Sequence, residues 1–153
     1  MIEQIDHINL VVRDLPAMTA FYRDVLGCRV TNSATISGSW IDDVVGLRDV
    51  IADVVYLDLP AGPRVELIQY QSPVGDQLPP NSISNTLGIR HVAFRVSDID
   101  QLVVLLREAG AQVGSQIATV PLAQVIYSGG ARKRLVYFRD PEGNLLELCE
   151  YKA

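Results

Sequence analysis

His7 and His91 are the only histidines among the 153 residues. Each stands third in nearly the same strand, IDHINLVV from Ile5 and IRHVAFRV from Ile89. Two glutamates recur in the same way, Glu66 in RVELIQY and Glu147 in NLLELCEY. Neutral imidazole suits zinc, nickel, cobalt or iron, and carboxylate oxygen extends the range to manganese and magnesium. A catalytic ion also keeps a position open for water or substrate. Taken alone, a strand histidine is usually structural and a strand glutamate usually faces solvent. Four such residues at repeat-related positions point instead to one divalent metal held by His7, Glu66, His91 and Glu147.

The elements that must position them are also written twice. Val12 and Val96, and Asp14 and Asp98, keep the 84-residue offset of the histidines. The glycines Gly27 and Gly110 lie 83 apart and the glutamates 81 apart, a drift that unequal loops produce. Each half opens with a strand of alternating character, followed by an aspartate suited to cap a helix. Helices are predicted over about 15–27, with Pro16 near its start, and 99–109, each ended by its glycine. Three strands follow in each half, over 28–35, 52–59 and 64–70, then 111–117, 134–139 and 144–151, with a turn at Asp140-Pro141-Glu142-Gly143-Asn144. The expected fold class is α+β, two tandem βαβββ modules over 1–70 and 88–153. The Pro- and Gly-containing segment 71–87 is the linker.

Strand side chains alternate between faces. Ile8, Leu10 and Val12 should pack on the first helix, and Val92, Phe94 and Val96 on the second. Val65 and Leu67, and Leu146 and Leu148, share those packed faces. His7, Glu66, His91 and Glu147 then all project from the opposite faces. If the two sheets curl together, those faces line one cleft.

Composition narrows the possibilities. Apolar residues make up 48% of the chain, enough for a sizeable core. A net charge of −5 argues against a nucleic-acid binder, which needs a basic stripe. Arg132-Lys133-Arg134 is nonetheless a cluster that could hold a small anion. Cys28 and Cys149 read as two reduced, packed thiols. No apolar run reaches membrane-spanning length and no signal sequence opens the chain, so a soluble cytoplasmic protein is expected.

The pattern resembles the vicinal oxygen chelate superfamily, the glyoxalase/bleomycin-resistance/dioxygenase group. The resemblance is carried by DHINLVVRDLPAMTAFYRDVLG, GIRHVAFRVSDID and YFRDPEGNLLEL and covers almost the whole chain. It implies paired βαβββ modules around a U-shaped metal cleft, the ligands His7, Glu66, His91 and Glu147, and one divalent metal (Ni, Zn, Co, Mn or Fe). It also implies a small-molecule substrate and a homodimer, sometimes with modules exchanged between chains.

Within that superfamily the sequence is similar in part to glyoxalase I and to methylmalonyl-CoA epimerase. Such a lyase or isomerase works through a metal-stabilised enediolate or enolate, with Glu147 the first candidate base and Glu66 the second. LIQYQSP departs from the polar stretch that helps glyoxalase I hold glutathione, and Arg90-His91 departs from the epimerase's paired histidines. A non-haem iron(II) extradiol dioxygenase is the alternative, with a triad of His7, His91 and Glu147 and Tyr127 or Tyr137 as acid–base groups. A drug-sequestering protein of the bleomycin-resistance kind, with Trp40 and Tyr56 lining a pocket, is the non-enzymatic reading. A fosfomycin-type thiol transferase would use the basic triplet. Candidate substrate contacts are Trp40, Arg95 and Arg132. The segment 37–50 could cover the cleft mouth, and Asp42, Asp43 or Asp49 could supply a further carboxylate, although capping suits each better.

Overall fold

The first strand of each half pairs in parallel with the last, which joins the histidine-bearing and glutamate-bearing segments side by side. This computed structural model describes residues 1–77 and 83–152, so residues 78–82 of the expected linker lie outside the described residues. The chain divides into two compact units, Met1–Gln77 and Leu78–Ala153.

In the first unit, β1 (His7–Val11) is followed by α1 (Leu15–Ala20), which continues as a π-helical turn over Phe21–Val25. Then come β2 (Arg29–Ser37), a short α2 (Ser39–Val45), β3 (Ile51–Asp58) and β4 (Arg64–Ser72). The sheet order is β1-β4-β3-β2. The second unit repeats the plan with β5 (Val92–Arg95), α3 (Ile99–Glu108), β6 (Gln112–Val113), β7 (Ala118–Thr119), β8 (Arg132–Arg139) and β9 (Leu145–Lys152). Its order is β5-β9-β8-β6, with β7 also paired to β8.

Both helices start and stop as their sequences dictate. The Asp14 carboxylate accepts from Ala17 N at 2.9 Å, and Asp98 accepts from Gln101 N at 3.0 Å. Gly27 and Gly110 take φ of 73° and 77°, the left-handed conformation that turns the chain out of a helix. The first helix falls short of the expected 15–27 as a regular α-helix. The Leu26 N–H reaches Phe21 O at 3.3 Å, one residue beyond α-helical spacing, so its last turn is widened. Of the strand expected over 111–117 only β6 forms, and β7 begins just beyond it. Between them Gly114 N donates to Tyr137 O at 2.8 Å, and the chain then turns away before pairing again at Ala118.

Each sheet buries one face under its helix. Met18, Tyr22, Leu57, Val65 and Leu67 are buried in the first unit, and Ile99, Val103, Leu106, Val136, Phe138, Leu146 and Leu148 in the second. Burial at 99, 103 and 106 follows helical periodicity and leaves Leu105 41% exposed. On the other face of the first sheet, α2 lays Ile41 against Val50, Ala52, Val54 and Ile68. The segment 37–50 therefore covers part of the face that carries Glu66. Asp42 ties it down by accepting from Asp49 N and Val50 N, a structural role.

Arg134, on the helix side of β8, locks α3 to the sheet. Its guanidinium lies 2.7 Å from the Asp100 carboxylate and 2.9 Å from Glu150, whose Oε1 also accepts from Ile99 N at 3.4 Å. The hydrogen bond from Arg134 holds Asp100 below its usual 3.8. Burial pushes Glu150 up, but its bonds to Lys152, Arg134 and Ile99 outweigh this and hold it below its usual 4.5. Depressed carboxylates stabilise the fold above their ordinary values and lose that contribution as pH falls through the folded-state values. Thermal melts from about pH 7 to about pH 3 should therefore show the wild type losing stability below 4.5. Arg134→Met should melt lower at neutral pH and show a flatter acid limb. Parallel acid limbs would mean the network contributes nothing.

Candidate functional site

In both units the glutamate sits across from the strand position two residues after the histidine. Asn9 pairs with Glu66 in the first, and Ala93 with Glu147 in the second. The residue before each histidine differs as well, Asp6 against Arg90, and the two histidines turn different ways.

In the first unit Asn9 Nδ2 donates to Glu66 Oε1 at 2.6 Å. The Tyr56 hydroxyl, across from Glu66 on β3, also hydrogen-bonds it. Burial first, and then the adjacent glutamate charge, push the Tyr56 phenol above its ordinary value. His7 turns instead to Asp6, with Nδ1 2.8 Å from Oδ2, and this hydrogen bond holds Asp6 below the usual carboxylate range. A carboxylate on Nδ1 leaves Nε2 as the nitrogen available to a ligand, as metal-bound histidines are commonly oriented.

In the second unit Ala93 offers Glu147 no side-chain partner. His91 Nε2 stands 3.4 Å from Glu147 Oε2, too far for a strong hydrogen bond. Two donors bound to one ion at about 2.0–2.2 Å in tetrahedral geometry stand about 3.3–3.6 Å apart, so this spacing suits a shared metal. Glu147 is 4% exposed. An ionised carboxylate at such depth requires a cation. The ammonium of Lys133 supplies one at 2.7 Å. Burial opposes the charge on Lys133, but Glu147 outweighs it and raises the lysine above its ordinary value. Tyr137, across from Glu147 on β8, stacks at a tilt on His91 with ring centroids 5.1 Å apart. Its hydroxyl also hydrogen-bonds Glu147, and its phenol is raised by burial first, then by the Glu147 charge.

The structure thus brings His91 to Glu147 directly and leaves His7 beside Asp6. Among the described residues no group of three or more histidine, cysteine, aspartate or glutamate side chains converges to hold a metal. Arg95 lies on the Glu147 side of its sheet, its guanidinium 5.2 Å from the centre of the Tyr151 ring. Arg132 does not: strand alternation puts it with Arg134 on the helix side and puts Lys133 on the Glu147 side. Trp40, next to the buried Ile41 on α2, is 57% exposed. The sequence reading named Lys133 only within the basic triplet, and missed the bond from Asn9 to Glu66 and the pairing of Tyr137 with Glu147. Counting back by twos from Tyr137 along β8 would have chosen Lys133 over Arg132. Both cysteines are buried and free, and burial pushes the Cys28 thiol up to about 11. No helix among the described residues is long and apolar enough to cross a membrane.

A duplicated βαβββ unit with a histidine from its first strand region and a glutamate from its last defines the class. Residues 4–148 match the Glyoxalase/Bleomycin resistance protein/Dioxygenase superfamily, and the chain belongs to it. A glyoxalase family protein from Bacillus cereus superposes with a TM-score of 0.84 at 27% identity, covering 100% of this chain and 97% of that one. The uncharacterized protein YaeR of Escherichia coli (strain K12) is 28% identical over 97% of each chain. An ethylmalonyl-CoA/methylmalonyl-CoA epimerase of Cereibacter sphaeroides is 32% identical over 74% of this chain and 75% of its own.

Proposed function

We propose that the protein is a metal-dependent enzyme of the glyoxalase/epimerase type, moving a proton at a carbon next to a carbonyl of a small oxygenated substrate. The observation that carries this reading is the buried Glu147 carboxylate with His91 Nε2 at 3.4 Å, a donor pair spaced for one divalent ion. His91 and Glu147 hold that ion from the second unit, and the duplicated sequence gives His7 and Glu66 the corresponding roles in the first. The bound ion supplies Lewis acidity to a carbonyl oxygen, which lowers the barrier to losing the neighbouring proton.

The chain's own groups divide the remaining work. Glu147 faces an imidazole and an ammonium as well as the Tyr137 hydroxyl, and takes the metal-holding role. Glu66 faces two uncharged donors, the Asn9 amide and the Tyr56 hydroxyl, and takes the proton-transfer role in this reading. This reverses the order expected from sequence. The similarity to the Cereibacter epimerase supports an acyl thioester as the first substrate class to try. A small-molecule substrate and a homodimer belong to the same reading.

The test is deuterium exchange at the α-carbon of methylmalonyl-CoA in D2O, followed by NMR with and without Mn2+, Co2+, Ni2+ or Zn2+. The expected result is exchange that depends on metal and disappears in Glu66→Gln even when enough metal is added to saturate the variant. Oxygen uptake with Fe2+ and a catechol, without exchange, would replace this reading by the dioxygenase one. Failure to load any metal would bring the ligand-sequestering reading forward.

A further inference from the structure

The Glu147 face of the second sheet carries a feature that duplication does not account for. Lys133 has no counterpart in the first unit, where the position 81 residues earlier is Ala52. Its ammonium sits 2.7 Å from Glu147 Oε1 and is held there by hydrogen bonding and charge together. Lys133 lies opposite Tyr151 in the β8–β9 register, and the Arg95 guanidinium stacks on that same Tyr151 ring at 5.2 Å. Tyr127 packs edge-on against Tyr151 with centroids 5.3 Å apart. Arg95 makes no ion pair among the described residues.

We propose that Lys133 is a shared cation: it neutralises Glu147 when no metal is bound, and joins Arg95 in holding an anionic group of the substrate once a divalent ion has taken that carboxylate. The proposal rests on the metal reading above. One buried carboxylate compensates one cation well, and a second cation beside it meets like charge. The lysine, on a flexible four-carbon stem and with a side chain 16% exposed, is the partner that can move. Released, it and Arg95 become two cations around one tyrosine ring with no counter-charge, and a carboxylate or phosphate satisfies both. The substrate class is therefore an oxygenated small molecule bearing an anion apart from its reacting carbonyl. Linkage makes the effect reciprocal, so metal and anion strengthen each other's binding by the same factor.

Mn2+ affinity is measured by titration calorimetry in wild type, K133M and K133R. K133M, which has no cation to displace, should bind Mn2+ about tenfold tighter, and K133R should bind it more weakly, because a guanidinium grips a carboxylate through two hydrogen bonds. Inorganic phosphate and acetate are then titrated separately, with and without Mn2+. In wild type Mn2+ should raise the affinity for one of them about fivefold or more, and which one identifies the anion. That gain should vanish in K133M and in R95A. Mn2+ binding in wild type with K133M no tighter and K133R no weaker would overturn the shared cation while leaving the metal reading standing. So would a gain that persists in both K133M and R95A, since the anion would then be sitting on the metal. If neither wild type nor K133M takes up Mn2+, both readings fall. Should K133M fail to fold with Glu147 uncompensated, K133R, which keeps the charge, decides the question alone.

Discussion

Glu147→Gln is expected to empty the protein of metal. The amide keeps the shape of the carboxylate, so β9 still packs, but it removes the anionic oxygen that stands 3.4 Å from His91 Nε2. An ion left with imidazole alone from this unit loses its charge neutralisation along with a ligand. Elemental analysis of protein purified without added metal should fall from about one ion per chain to less than about a tenth of that. Lys133 is stranded by the same change, and breaking a buried pair from one side destabilises. Because its side chain is 16% exposed and can reach water, we expect a cost of about 1–3 kcal/mol rather than loss of the fold. Unchanged metal content in a folded Glu147→Gln variant would remove Glu147 from the site.

The next residue along should behave in the opposite way. Leu148 is fully buried on the helix side of β9, paired with Phe94 on β5 and Val136 on β8. Leu148→Ala removes those contacts and leaves a cavity between sheet and helix, which costs about 2–5 kcal/mol. Urea denaturation should show the midpoint falling with little change in slope. Metal bound per folded chain should stay at the wild-type level, because the substitution is made on the far face. A loss below about 1 kcal/mol would contradict the packing, and a loss of metal affinity in the folded fraction would contradict the separation of faces.

How much of this was legible in the sequence depended on which contacts are local. The helix caps at Asp14 and Asp98 and the stops at Gly27 and Gly110 follow from neighbours within a few residues, and the structure has them where they were expected. The faces of β1, β4, β5 and β9 follow from period-two alternation. Alternation says which side a residue takes but not which residue stands across from it. Register supplied that, and with it came Asn9 against Glu66 and Tyr137 against Glu147, with Lys133 on the same face reaching that glutamate. The interruption between β6 and β7 was hidden for a similar reason. AQVGSQI reads as one extended run unless the bond from Gly114 N to Tyr137 O is known. Arg132 was chosen from a basic triplet whose three members look alike in sequence and face two different ways in the sheet.

The parallel pairing of β5 with β9 has a thermodynamic corollary. His91 and Glu147 are neighbours solely through that pairing, with the rest of the second unit looped out between them. An unfolded or half-zipped unit holds the two groups apart and offers an ion nothing beyond scattered single donors. A metal bound as proposed would therefore select the native ensemble, and at 100 times its dissociation constant it would add about 2.7 kcal/mol to the unfolding free energy. Availability of the ion would then control the protein's lifetime: in metal-poor conditions the population that opens, and so meets proteases, would rise by about a hundredfold.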